Sequence, residues 1–248
     1  IVEHLENKGQ IVLQGDREGT VPTGTEYIID CASYGNFYDQ INIKEMIEAN
    51  YNRVIKLLEN ARKVKSKATI LTSSSSVTLP IQSPYSATKT LMEFVALQAS
   101  EFKKIPLVIT RPYTMYGVND SPKHFIPKVF DSCLNGTPIP LSPEASHDYV
   151  WIEDVVDAYV ELIEQINEFK GKIVDIGTGK SINNSAIVIM IEKLTGRKAN
   201  ISRLEHLRFY DVKRGWRSDH PLPHATEIVE GLTKIYEDIK HRSKAAYN

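Results

Sequence analysis

The sequence has little cysteine. Its 248 residues carry two, Cys31 and Cys133, which is too few for a disulfide framework. No cysteine–histidine spacing suits zinc, so no metal site is expected. Each cysteine lies in an apolar run and is expected as a buried thiol. Charge of either sign is not in excess: 30 Lys and Arg face 31 Asp and Glu, a formal net charge of -1. No overall field then draws the chain to nucleic acid or to an anionic membrane, and an anionic ligand has to be held by a local cluster. No stretch approaches the ~20 apolar residues of a membrane span. Residues 1–8 are too charged for a signal peptide, so a cytoplasmic location is the default expectation. No internal repeat is present. What remains is an ordinary globular composition, 42% hydrophobic and 25% charged, long enough for one large domain or two small ones.

Strand and helix patterns alternate through the first half. Residues 1–8 read as the end of an amphipathic helix stopped by Gly9. Residues 11–13 read as the start of a short strand, and residues 17–26 as a loop. The run Tyr27-Ile28-Ile29-Asp30-Cys31-Ala32 has the length and apolarity of a buried parallel strand. Ile43, Met46, Ile47, Asn50, Val54, Leu57, Leu58 and Ala61 recur at spacings of three and four, which marks one face of a long helix. Residues 68–72 form a strand that runs into four serines. Pro84 opens a second helix, and residues 105–110 are a strand closed by Arg111-Pro112. This order predicts a parallel sheet with helices on both faces. Beyond about residue 118 the rhythm loosens. Helices near 123–135, from Glu153-Asp154, at 184–195 and at 223–242, with a strand at 172–176, predict a smaller mixed lid.

Tyr85 and Lys89 stand four residues apart at the start of the second helix, which puts both side chains on one face, about 5–6 Å apart at their Cβ atoms. A phenol titrates near 10 and is a poor proton shuttle at neutral pH, but a neighbouring ammonium favours the phenolate. The spacing therefore predicts Tyr85 as a general acid/base with Lys89 lowering its pKa. A hydroxyl to hold the substrate oxygen is supplied by the serine cluster 73–76. It ends the preceding strand, at the carboxyl edge where parallel sheets bind ligands. Tyr-x-x-x-Lys alone is common, and an exposed Tyr beside a solvated Lys would fit it as well. The order of strand, serine cluster, Pro-Tyr-x-x-x-Lys helix and strand ending in Arg-Pro is far more specific.

In that order the chain resembles the extended short-chain dehydrogenase/reductases, the NAD-dependent epimerase/dehydratase type that modifies nucleotide sugars. Leu71-Thr-Ser-Ser-Ser-Ser-Val77 is similar to the family's Ser-rich strand end, and Ser83-Pro-Tyr-Ser-Ala-Thr-Lys89 to its active-site helix. Asn50-Tyr-Asn-Arg-Val-Ile-Lys-Leu-Leu58 resembles the segment with a buried structural Asn. Arg111-Pro-Tyr-Thr-Met-Tyr-Gly117 resembles the segment that closes over the nicotinamide. His147-Asp-Tyr-Val-Trp-Ile-Glu-Asp154 resembles the lid motif, and Val174-Asp-Ile-Gly-Thr-Gly179 the strand after it.

The resemblance implies an α/β fold, a Rossmann-type doubly wound parallel sheet with a small mixed C-terminal substrate lid. Residues 1–117 would be the NAD(P)-binding domain and 118–248 mostly the lid, with 149–180 returning to the sheet. It implies an NAD(P)-dependent epimerase or reductase acting on a hydroxyl-bearing, nucleotide-sugar-like substrate. The alternatives are a catalytically silent NAD(P)-sensing protein and a sugar dehydratase of the same family. Tyr85, Lys89 and Ser74 would be catalytic, with Ser73 and Ser75 one step away in the alignment. Asp16, Ala32, Ser33, Asn50, Tyr85, Lys89 and Tyr113 would contact the cofactor, NAD with NADP as the alternative. Ser75, Thr114 and His147 would contact substrate. Helices 43–62 and 85–103 would pair two copies into a homodimer.

The match has gaps. No Gly-x-x-Gly-x-x-Gly phosphate loop occurs, and the first strand and that loop are expected to precede this sequence. Several joins are short, among them residues 17–26. Asp16 would meet the adenosine ribose or the adenine, or simply close a turn. Gly177 to Ser181 is not a P-loop, since position 174 is Val. The lid's usual Arg is His147 and a usual Asn is Thr114, which weakens recognition of a sugar diphosphate. Arg208, Lys213, Arg214 and Arg217 are candidates for an anion, or a solvated basic face. The Asp-Glu pair of family dehydratases is replaced by Ser75 and Ser76, which predicts no 4,6-dehydration.

Overall fold

The computed structural model describes residues 1–7, 9–37, 39–142, 144–204 and 216–245. In chain order its elements are α1 (Val2–Asn7), β1 (Tyr27–Asp30), α2 (Ile43–Ile47), a π-helical turn (Glu48–Asn52), α3 (Arg53–Val64), β2 (Ala68–Thr72), α4 (Pro84–Lys103), β3 (Leu107–Pro112), β4 (Thr114–Tyr116), α5 (Phe125–Asn135), β5 (Ile139–Leu141), β6 (Ser146–Trp151), α6 (Ile152–Glu164), α7 (Ile166–Phe169), β7 (Ile173–Ile176), β8 (Ser181–Asn183), α8 (Asn184–Thr195), β9 (Ile201–Arg203) and α9 (Ile228–Ala245). They form two compact units, Ile1–Pro112 with Val156–Asp175, and Tyr113–Val155 with Ile176–Asn248.

The first unit carries a sheet in the order β1-β2-β3-β7, with β1, β2 and β3 parallel and Ile29 opposite Ile70, Ile70 opposite Val108. This is the Rossmann-type α/β arrangement expected from the alternating pattern. Ile28, Leu71, Leu107 and Ile109 of the strands pack with Val54, Leu57, Leu58, Ala61, Met92 and Ala96 of α3 and α4. The helix expected over 43–62 is interrupted. Asn42 caps α2 by accepting from the Lys44 and Glu45 amides, and the π turn then rotates Asn50 fully inward. Such π turns often mark functional sites. Helix α4 begins as its sequence dictates, with Ser83 accepting the Ser86 amide and Pro84 in the first turn.

Two expectations are corrected here. Residues 11–13 form no strand, and Ile11 and Leu13 are 92% and 56% exposed. Among the described residues no strand lies alongside to complete their backbone hydrogen bonds, and an isolated strand is not stable. Cys31 is exposed, because it falls one residue past the end of β1, while Cys133 is buried as expected.

The second unit has a three-stranded sheet, β4-β6-β8, in which β4 and β6 run parallel and β6 and β8 antiparallel, and a parallel pair β5-β9. Its core joins Tyr116, Phe130, Tyr149, Trp151, Ile187, Ile191 and Leu232. Among the described residues no helix is long and apolar enough to cross a membrane, and no group of acidic, histidine and cysteine side chains could hold a metal ion.

Candidate active site

The carboxyl end of β2 and the first turns of α4 meet in the first unit. Lys89 is buried, 2% exposed, and its ammonium donates to the Thr72 carbonyl at 2.8 Å. The ammonium lies 6.0 Å from the centre of the Tyr85 ring, so the four-residue spacing does place the pair on one face. Ser33 and Ser74 are the side chains whose hydroxyls favour the Tyr85 phenolate. Ser74, not its neighbours, is therefore the serine beside the tyrosine. Ser73 and Ser75 are buried, 3% and 2% exposed, and the Ser75 carbonyl accepts from Thr78. Ser75, expected at the substrate, is not brought into this cluster.

The electrostatics differ from the expectation. Burial pushes the Tyr85 phenol up from its ordinary value, opposed by the Ser33 and Ser74 hydroxyls, and Lys89 is not what sets it. Burial likewise pulls Lys89 down to about 8, with Asp30 opposing, Arg53 adding to the fall, and Cys31 and Glu93 opposing. The site at neutral pH thus holds a neutral phenol, ready to donate a proton, next to a lysine that is still mostly a cation.

A clamp missed at sequence level holds the loop that carries Ser33. Arg53 grips Asp30 with two hydrogen bonds, 2.9 and 2.7 Å, and donates to the Ala32 carbonyl at 3.1 Å. Asn50 accepts from the Tyr34 amide at 2.9 Å and donates to the Tyr34 carbonyl at 2.8 Å and to Thr88 at 3.0 Å. Arg53 and Asp30 are both buried. The available signal was a lone Asp inside the apolar run 27–32 and a lone Arg beside the apolar stripe of α3. Ala32, expected at the cofactor, contributes this carbonyl. Asp16 closes a turn, accepting from the Glu18 and Thr20 amides at 2.9 and 3.0 Å, contacts that hold its carboxyl below the usual range.

The second unit has its own cluster. His147 Nδ1 is 3.4 Å from the Thr114 hydroxyl, and its ring meets Trp216 edge-on at 5.5 Å. Trp216 also packs on Tyr113 at 5.8 Å, and the Tyr113 hydroxyl donates to the Arg217 carbonyl at 2.8 Å. Trp216 was not foreseen. Arg208, Lys213 and Arg214 lie outside the described residues. Asp148, fully buried, accepts from the Thr178 amide and hydroxyl, the Gly179 amide and the Ser218 amide at 2.6–2.9 Å. A Cβ on Gly177 would come within 2.7 Å of the Asp148 carboxylate, so only glycine allows this approach.

A parallel sheet with serine, tyrosine and a buried lysine gathered at its carboxyl edge defines a site of the short-chain dehydrogenase/reductase kind. The sequence model of the NAD dependent epimerase/dehydratase family matches residues 14–177, and the chain belongs to that family. A probable UDP-glucuronate 4-epimerase of Rhizobium meliloti is 27% identical over 252 residues, covering 86% of this chain and 74% of that one. An Arabidopsis thaliana trifunctional UDP-glucose 4,6-dehydratase/UDP-4-keto-6-deoxy-D-glucose 3,5-epimerase/UDP-4-keto-L-rhamnose-reductase is 29% identical over 165 residues. That match covers 62% of this chain, which spans only 24% of the plant protein. The solved structure of MoeE5 in complex with UDP-glucose and NAD superposes with a TM-score of 0.83 at 22% identity, covering 98% of this chain and 94% of that one. The family is NAD-dependent. The donor set at the carboxyl edge, with the Lys89 ammonium and the Tyr85 and Ser33 hydroxyls, suits a ribose diol. A glycine-rich seat for the pyrophosphate is not part of the sequence.

Proposed function

We propose that this protein is an NAD-dependent epimerase or reductase of a nucleotide sugar, with Tyr85 as the acid/base at a substrate hydroxyl or carbonyl. The observation that carries the reading is the buried Lys89 ammonium, 6.0 Å from the centre of the Tyr85 ring on the same helix face and anchored on the carbonyl of Thr72 at the end of the strand that runs into Ser74. NAD(H) supplies the hydride chemistry when bound, with NADP(H) as the alternative cofactor. Lys89, Ser33 and Tyr85 would hold the nicotinamide ribose, Asn50 and Ala32 would shape its floor through the loop 30–35, and Tyr113 would approach the cofactor by its backbone. Asp16, exposed in its turn, would lie toward the adenosine. Ser74 would hold the reacting oxygen, while Thr114 and His147 would contact the sugar nucleotide. The relatives named for UDP-sugar and dTDP-sugar chemistry support this substrate class. A silent NAD-sensing role is disfavoured by a complete catalytic set.

The test is Tyr85→Phe in the full-length protein, assayed with NAD(H) and UDP or dTDP sugars. Turnover should fall at least ~100-fold with the fold intact; near-normal turnover would sink the assignment. A homodimer forms part of the same reading. Helices α3 and α4 leave a groove of about 360 Å³ lined by Tyr51, Ile55, Val95 and Phe102, and Phe94 and Phe102 are 66% and 82% exposed on that side of the unit.

A further inference from the structure

The loop that follows β1 crosses the carboxyl edge with its outward side open. Ala32 and Ser33 are exposed, while Asp30, Asn50 and Arg53, which hold the loop, are buried. The Ala32 amide donates to the Asp30 carboxylate at 3.3 Å, and the Ala32 carbonyl accepts from Arg53 at 3.1 Å. The Tyr34 amide donates to the Asn50 side chain at 2.9 Å, and the Tyr34 carbonyl accepts from it at 2.8 Å. Both backbone groups of residue 32 and both of residue 34 are thus fastened, with Ser33 between them. We infer that Arg53 and Asp30 are positioning residues for the cofactor, fixing the direction in which Ser33 presents its hydroxyl to the nicotinamide ribose. The inference rests on the NAD-dependent reading above and deepens it.

The peptide group is planar, so a residue's two free dihedrals are set once the planes on either side of it are set. The Ala32 carbonyl belongs to the plane before Ser33, and the Tyr34 amide to the plane after it. Arg53 holds the first plane and Asn50 the second, so together they fix where the Ser33 Cβ points. The two holders stand three residues apart, where the π turn passes into α3, and neighbours at that spacing share a helix face. Asn50 also donates to the Thr88 hydroxyl at 3.0 Å, and Thr88 donates to the Tyr85 carbonyl at 2.8 Å. The same frame therefore reaches the first turns of α4, which carry Tyr85 and Lys89. Ser33 is held in register with the two side chains beside which it would meet the ribose.

Stability alone does not call for this chemistry. A buried ion pair often gains nothing over apolar side chains of similar volume. What it supplies is geometry. Arg53 donates from Nε to the Ala49 carbonyl at 3.0 Å and from Nη1 to Asp30 at 2.9 Å. Its Nη2 reaches Asp30 at 2.7 Å and the Ala32 carbonyl at 3.1 Å. A rigid planar fork meets these acceptors together, anchored on its own helix at one end and on the loop at the other. A lysine ammonium can neutralise Asp30 but is a point charge and cannot span the set. The charge of residue 53 and its reach to Ala32 are therefore separable by substitution.

The test is a double-mutant cycle read by NADH binding to the full-length protein, followed by nucleotide fluorescence, so that no turnover is needed. Ser33→Ala should weaken NADH about 10-fold, the worth of one hydrogen bond, and Ser33→Thr should bind as wild type does. Arg53→Lys should weaken NADH by at least as much. In the Arg53→Lys background Ser33→Ala should then cost less than ~2-fold, because the hydroxyl is no longer aimed. If the lysine variant does not fold, Asp30→Asn with Arg53→Met, which leaves no buried charge alone, takes its place in the cycle with the same expectation. An unchanged affinity in Arg53→Lys or in Ser33→Ala would overturn the inference. So would a Ser33→Ala cost that is equal in both backgrounds, the result expected if the pair only supports the fold. Tyr85→Phe turnover and wild-type NADH binding separate the two ideas. If wild type binds NADH and Tyr85→Phe is inactive while the cycle fails, only the positioning role falls; if wild type binds no NADH, the functional reading falls with it.

Discussion

Replacing Lys89 by methionine should stabilise the protein at neutral pH while removing function. Lys89 is 2% exposed and its pKa is pulled from 10.5 down to about 8, mainly by burial. A depression of roughly 2.5 units corresponds to about 3 kcal/mol of folding free energy lost to carrying the proton inside. The sign follows from the unfolded chain binding the proton more tightly than the folded one. The cost is present in full below about pH 8 and is relieved as pH rises toward 10.5, so the native protein gains on the variant across that window. Methionine fills similar volume but leaves the Thr72 carbonyl without its 2.8 Å donor, which costs about 1 kcal/mol. The net expectation is a variant about 2 kcal/mol more stable near neutral pH, with the advantage gone near pH ~10. Urea unfolding at both pH values, with equal slopes for the two proteins, measures it. A variant that is less stable at neutral pH, or a difference that ignores pH, would refute the reasoning. The same variant should bind NAD more weakly, and an unchanged titration would remove the ribose-holding role.

Other changes probe the remaining contacts. Arg53→Met leaves the buried Asp30 carboxylate without its partner and should cost about 3–5 kcal/mol, most of it recovered in the Asp30→Asn, Arg53→Met double variant; a cost under ~1 kcal/mol in urea unfolding would deny the clamp. Asp148→Ala orphans three amides and a hydroxyl and should speed hydrogen exchange around residues 177–179 at least ~10-fold, whereas unchanged exchange would show that the carboxylate does not pin that loop. Phe94→Ser with Phe102→Ser should leave a folded monomer by light scattering, and a persisting dimer would place the interface elsewhere. With UDP-glucose, NMR should show no 4-keto-6-deoxy product, because Ser75 and Ser76 stand where elimination needs a carboxylate base and acid; its accumulation would overturn that expectation.

Elements with a strong period were legible almost to the residue: α8 over 184–195 and β2 over 68–72 coincide with their apolar patterns. The run 27–32 was read two residues too long, because apolarity continues past the charge, Asp30, at which the strand ends. Residues 11–13 have strand composition, but a strand exists only with a neighbour, and composition says nothing about neighbours. The Asp30–Arg53 pair joins residues 23 apart on different elements, and periodicity treats each element alone. Asp148 was read as part of a motif, yet its work is done through amides of residues 178, 179 and 218, which sequence cannot place beside it.

The Tyr85 and Lys89 spacing shows most clearly where local reasoning stops. Spacing of four fixes adjacency on a helix, and adjacency was all that the expected pKa drop required. The outcome depends on the dielectric as well. The same burial that brings the pair together disfavours both charged forms, raising the phenol and lowering the ammonium. A buried cation turned toward the Thr72 carbonyl is also satisfied there rather than at the phenol. What remains to favour the phenolate is hydrogen bonding, and it comes from Ser33 and Ser74, residues that the spacing rule never consulted. A site of this kind therefore rests as a proton donor.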